Sequence, residues 1–311
     1  MDPLSVRLFG QFQVQCGEEV LTECFPPKLQ ELFCYLLLFR DDAHRREMLA
    51  SLLWPDSTTT HSKRNLRQAL WQLQSLAALG DMLRNCDVLL VDARWIHLNP
   101  QANLWLDVQA FEDALSRSEG VPGRALDAHQ AEALAAAVGL YQGDLLQGCY
   151  EEWCLYERER MQNAYLHNLD KLIDYSETCG EYKAGLAYGD RALQCDGARE
   201  RTHRRLMRLH YLAGERAAAL RQYDHCVEAL HRELGVEPAA RTVALYQRIR
   251  LGQFVDAPQS LRGRTGSTGA APESWPGMVE HLRGLRAEVA ELQDQVQRAL
   301  DFAQRMASDQ E

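Results

Sequence analysis

A chain of 311 residues, 46% of them hydrophobic, has the length for two domains and the apolar content to build their cores, which excludes disorder as its default state. A net charge of −10 excludes nucleic-acid binding through a wholly basic body but leaves room for a local basic surface. Nine cysteines, an odd number with no C-x-x-C pair, argue against a disulfide scaffold or a zinc site; most sit beside apolar neighbours, and they read as buried, reduced thiols.

In chain order, Leu4, Val6, Leu8, Phe12 and Val14 show strand alternation with Gly10 at a bend, and Val20-Leu21 returns after a turn at Gly17-Glu18. Pro26-Pro27 introduces a helix over 28–39, with Leu29, Leu32, Phe33, Leu36 and Leu37 on one face. A second helix over 46–54 is closed by Pro55, and a third is expected over 60–79. Val88–Val91 and Trp95–Leu98, separated by Asp92-Ala93-Arg94, read as a tight hairpin. Strands, three helices and a hairpin follow one another in the order of a winged helix-turn-helix with an N-terminal sheet, here over residues 1–106.

The third helix carries the chemistry. Leu66, Ala69, Leu70, Leu73 and Ala77 share one side, while Thr60, His61, Arg64, Arg67, Gln68, Trp71 and Ser75 share the other, with Lys63 on the flank. No acidic residue occurs from Ser57 to Leu79 in a chain that is acidic overall. A helix entering the major groove needs this composition, because Arg reads guanine O6 and N7 and Gln can read adenine N6 and N7. Lys63 and Arg45 are expected to hold phosphates, and Arg94 at the hairpin tip to enter or flank the minor groove. Taken alone, this face also fits an ordinary solvated helix; the neighbouring helix and hairpin favour DNA.

Beyond Asp107 the pattern is helical throughout, with helices expected over 107–118, 128–142, 150–179, 182–195, 199–213, 215–234 and 239–250. Gly180-Glu181 recurs 34 residues on as Gly214-Glu215, and Leu186 aligns with Leu220, Ala192 with Cys226 and Leu193 with Val227. That period is the length of a tetratricopeptide unit, whose paired helices stack and leave a groove for a partner. Tyr165, Tyr182, Tyr188, Tyr211 and Tyr223 could line the groove around a small-molecule effector, or serve as packing residues of the repeat. The repeat domain spans 107–251, and residues 252–277, rich in Gly, Pro, Ser and Thr, read as a flexible linker. Over 278–308, Leu282, Leu285, Val289, Leu292 and Val296 open a 3,4 heptad seam that fits a coiled-coil helix for self-association, or a helix folded back on its own body.

Several motifs carry a family likeness. Leu52-Leu53-Trp54-Pro55-Asp56, followed by Arg64-Asn65-Leu66-Arg67-Gln68-Ala69-Leu70, resembles the OmpR-type DNA-binding module of the Streptomyces antibiotic regulatory proteins (SARPs). The run from Leu140 to Gly148, with Trp153 and Glu157-Arg158-Glu159-Arg160, resembles the start of their bacterial transcriptional activator domain, and Glu228 to Ile249 resembles its end. The resemblance implies a mainly α protein that binds repeated promoter sites on double-stranded DNA, usually as a dimer, and recruits RNA polymerase, with the loop at Asp56–Thr60 also facing polymerase. The sequence has no G-x-x-x-x-G-K-[ST] phosphate loop of the kind the larger family members carry in an ATPase module.

The expected function is therefore a cytoplasmic, sequence-specific transcriptional activator that needs no cofactor or metal and is not an enzyme. Neither a nucleophile motif nor metal-ligand spacing is present, and His97, His129, His167, His203 and His225 are scattered as structural histidines are. The alternative is a tetratricopeptide-type interaction or effector-sensing scaffold with little DNA affinity, which salt-dependent binding to duplex DNA separates from the first reading.

Overall fold

The structure, a computed structural model, describes residues 3–79 and 88–253. The linker beyond 253 and the heptad seam at Leu282, Leu285, Val289, Leu292 and Val296 lie outside the described residues.

Alternation places the first strands. In β1 (Leu4–Arg7) and β2 (Gln13–Cys16) every second side chain is buried, and the two pair antiparallel with Val6 opposite Val14. The left-handed φ of +86° at Gly10 lets the chain turn between them without a Cβ penalty. β3 (Glu19–Val20) extends one edge of this sheet, and the other edge pairs β1 in parallel with β7 (Leu104–Leu106). Neither β7 nor β4 (His44–Arg45) was legible in the sequence, because two or three residues carry no periodicity and each pairs with a partner far along the chain. β4 joins β5 (Leu89–Val91) and β6 (Trp95–Leu98) in a second sheet of order β4-β6-β5.

In the chain, α1 (Pro27–Leu38) precedes β4, and α2 (Arg46–Leu53) and α3 (Thr59–Leu79) follow it. Proline at the first position of α1 needs no N–H partner there. The buried stripe of α3, Leu66, Ala69, Leu70 and Leu73, is the one its helical spacing predicts.

The second half is α4 (Asp107–Arg117), α5 (Ala128–Leu140), α6 (Glu152–Cys179), α7 (Tyr182–Cys195), α8 (Glu200–Leu212), α9 (Arg216–Leu234) and α10 (Ala240–Arg250). The 34-residue repeat has a local cause. At both Gly180 and Gly214 the backbone is left-handed, and the next N–H reaches back to a helix carbonyl, Glu181 to Ser176 and Glu215 to His210, each at 2.8 Å. The same helix stop is used twice.

The two halves share one core. A continuous hydrophobic cluster runs from Leu4 to Ala192. Main-chain bonds stitch the β1–β2 connection to the turn ahead of α6: Leu146 N–H to the Leu8 carbonyl, and Gly10 N–H to the Asp144 carbonyl. Arg158, in the motif Glu157-Arg158-Glu159-Arg160, holds that turn by donating to the carbonyls of Leu145, Leu146 and Cys149, each at 2.8 Å. Glu157 is itself buried and receives Arg160. Much of the motif thus has a structural task, to fix the joint.

Candidate nucleic-acid interface

The outer face of α3 is free of packing. Thr60, His61, Arg64, Arg67 and Gln68 are all exposed, and Trp71 is 66% exposed although it is a large aromatic. Buried Leu66, Leu70 and Leu73 anchor the opposite face, so the exposed groups project from a rigid helix rather than a loop. α2 packs against α3 ahead of it, and the turn between them is fixed by Ser57 N–H to Trp54 O and Ser62 N–H to Thr58 O.

Lys63, expected to hold a phosphate, has an ion-pair partner within the protein. Its ammonium sits 2.6 Å from Glu47 Oε1 of α2, an ion pair exposed on both sides. Hydrogen bonding to Lys63 and its charge hold the Glu47 carboxyl below its ordinary value. The helical spacing did not reveal this partner, because Glu47 comes from another helix.

Arg45 and Arg94 form a second group, on the β4-β6-β5 sheet. Arg45 lies opposite Trp95 in the β4–β6 register, with its guanidinium over the Trp95 ring at 5.3 Å. The hairpin tip is locked from within, since Asp92 Oδ1 accepts the N–H groups of Arg94 and Trp95, both at 2.7 Å. It is also locked from α2: Arg46 N–H donates to the Arg94 carbonyl and Arg46 Nη1 to the Asp92 carbonyl, each at 3.0 Å. Arg46 is the positioning residue that sequence reasoning missed. Its only signal was a second arginine at the start of a helix.

Two of the five repeat tyrosines are engaged in ring packing. Tyr165 is buried and stacks on Tyr141 at 4.1 Å, and Tyr223 stacks on Tyr246 at 4.2 Å, so both pack rather than face a ligand. His203 is a satisfied structural histidine, between the Gly197 carbonyl and the Gln222 amide. Cys24 and Cys179 are exposed, contrary to the expectation of buried thiols, while Cys16, Cys34, Cys154 and Cys226 are buried. Among the described residues no group of His, Cys, Asp and Glu could hold a metal ion, and no helix is long and apolar enough to cross a membrane.

The family model of the bacterial transcriptional activator domain matches residues 106–250. The match begins where α4 begins and ends with α10. The chain is also 28% identical over 263 residues to the regulatory protein AfsR of Streptomyces coelicolor, an alignment covering 80% of this chain and 26% of AfsR. The chain thus spans about a quarter of the length of that relative. In fold it is similar to Mycobacterium tuberculosis EmbR, solved in complex with a low-affinity phosphopeptide, with a TM-score of 0.66 at 19% identity over 82% of this chain and 67% of EmbR. Domain match and relative bear out the resemblance to a SARP-type regulator, and the fold is similar to that of EmbR.

Proposed function

We propose that the chain is a sequence-specific DNA-binding transcriptional activator. The winged helix of residues 1–106 reads a repeated promoter site, and the activator domain of 107–251 couples that binding to RNA polymerase. The observation that carries this is the exposed outer face of α3, where Arg64, Arg67 and Gln68 stand on a helix anchored by buried leucines and free of acidic residues from Ser57 to Leu79. Arginine and glutamine on such a helix match the donor and acceptor code of the major groove. Thr60, His61 and Trp71 extend the face, and Arg45 and Arg94 on the wing sheet supply cations for the backbone or the minor groove. Lys63 joins them when phosphate competes with Glu47 for its ammonium.

Repeated sites call for more than one copy. The heptad seam of 278–308 supplies a self-association helix, so that a dimer or higher oligomer spans adjacent half-sites. The direct test is retention of genomic fragments by the purified chain at two salt concentrations, followed by sequencing. Enrichment of a repeated motif that weakens with salt supports the activator and supplies its operator. Absence of enrichment at both salts overturns it in favour of an interaction scaffold.

A further inference from the structure

Trp71 stands on the outer face of α3 with no apolar residue of its own helix one turn away. Its neighbours at that spacing are Arg67, Gln68, Gln74 and Ser75. Among the described residues, Trp54, Trp95, Trp105 and Trp153 are all partly buried. Arg45 lies over the Trp95 ring, Arg7 over the Trp105 ring, and Tyr35 packs edge-on against Trp153. Trp71 is 66% exposed, yet its backbone is fixed, because Leu70 and Leu73 beside it are 2% and 8% exposed. They hold the middle of a helix of 21 residues against the core.

A single exposed apolar side chain is ordinary on a protein surface. The place of this one is not ordinary. At about 100° per residue, Arg64, Gln68, Trp71 and Ser75 fall within about 60° of one another, with Arg67 on their shoulder. The indole is therefore central to the face that carries the base-reading side chains, one turn or about 6 Å beyond Arg67. Two arginines frame it, and no acidic residue occurs from Ser57 to Leu79, so the molecule that covers it is one that carries negative charge. The major groove of duplex DNA meets that requirement. Its floor offers hydrogen-bond donors and acceptors and a single apolar group, the C5 methyl of thymine.

We propose that Trp71 is a specificity-determining residue that reads thymine, by packing its indole on the C5 methyl group in the major groove. The thymine lies within about two base pairs of the one that Arg67 reads, since about 6 Å along the helix spans at most about two steps of 3.4 Å. Arg64, Arg67 and Gln68 recognise donors and acceptors, and Trp71 adds recognition of an apolar group that they cannot supply. Cytosine lacks the methyl and is rejected at that position. This inference rests on the activator reading and deepens it, by naming what one side chain of the same face recognises.

The test uses the full chain and synthetic duplexes of the operator recovered by genomic retention. In each duplex one thymine is replaced by deoxyuridine, which removes the methyl and keeps the base pair. Titrated at one salt concentration, the wild type should bind about three- to fivefold more weakly when one particular thymine is replaced, the effect of withdrawing one methyl from apolar contact. Trp71→Ala should lose at least as much on the unmodified operator and should bind the thymine and uracil duplexes alike at that position. Trp71→Phe keeps an apolar ring and should retain part of the preference. Both variants should match the wild type in urea midpoint, because the side chain is exposed; if alanine lowers the midpoint, Trp71→Phe carries the comparison. The proposal is overturned if uracil is tolerated at every thymine, or if Trp71→Ala keeps the thymine preference, which assigns the methyl to another side chain. Unchanged affinity of Trp71→Ala on all duplexes also overturns it and turns the indole towards a protein partner. A wild-type chain that enriches no operator is a separate failure, that of the activator reading, and this inference falls with it.

Discussion

The carboxylate of Asp107 accepts the backbone N–H of Leu8 on both of its oxygens, at 3.0 and 2.9 Å, across 99 residues of sequence. It also takes the Phe9 N–H at 3.0 Å and, at the start of α4, the Val108 N–H at 2.7 Å. The first acid of the activator domain therefore closes the open end of β1, where the ladder to β7 has run out at Leu106.

Asp107→Ala is predicted to lose about 2–5 kcal/mol of stability, since the buried N–H groups of Leu8, Phe9 and Val108 would lose their carboxylate acceptor. Urea unfolding of wild type and variant measures it. A loss well below 1 kcal/mol would mean that water replaces the carboxylate and that the joint does not depend on it.

Arg64→Ala and Arg67→Ala are each predicted to weaken binding to the cognate site by about 1–3 kcal/mol if they reach base edges. Titration against specific and scrambled duplexes decides it. Equal losses on both duplexes would show contact with phosphate alone.

Glu47→Gln should release Lys63 from its ion pair and turn the ammonium towards DNA. We expect tighter non-specific binding and a salt dependence steeper by about one unit of slope. An unchanged slope would place Lys63 off the DNA path.

His203 gives the expected pH dependence. Burial holds its ring below the ordinary value of 6.5 and outweighs the opposing hydrogen bond to Gly197. The Gln222 amide donates to Nδ1 at 2.8 Å, which leaves Nε2–H to donate to the Gly197 carbonyl at 2.9 Å, and a proton added on Nδ1 would meet a donor. The unfolded chain takes up this proton before the folded one, so stability should fall as pH drops below about 6.5. His203→Gln should flatten that fall in urea midpoints between pH 7 and 5. An equally steep fall would assign it to other groups.

Removal of residues 278–311 is predicted to lower the oligomer mass in light scattering. An unchanged mass would exclude the heptad seam as the self-association element and move that role to residues before 278.

Much of this protein was legible in its residues because the controlling physics is local. The apolar stripe of α3 follows from helical spacing, and the stops at Gly180 and Gly214 follow from the one residue that takes a left-handed backbone freely. The all-helical second half, with ends within about two residues of those expected, came from the same periodicity. The absence of acid along α3 singled out its polar face without any coordinates.

What only the tertiary structure decided are pairings between distant segments, which no local pattern records. β4 and β7 exist because β6 and β1 offer them edges. Lys63 is paired because α2 brings Glu47 to it, and the hairpin tip is fixed because Arg46 reaches Asp92. The two halves are tied together where Asp107 accepts the N–H groups of Leu8 and Phe9 from the far end of the chain. A sequence determines which faces a segment offers, through the rotation per residue of its backbone. Which faces meet depends on closing loops of tens of residues, and that is settled only when the whole core forms.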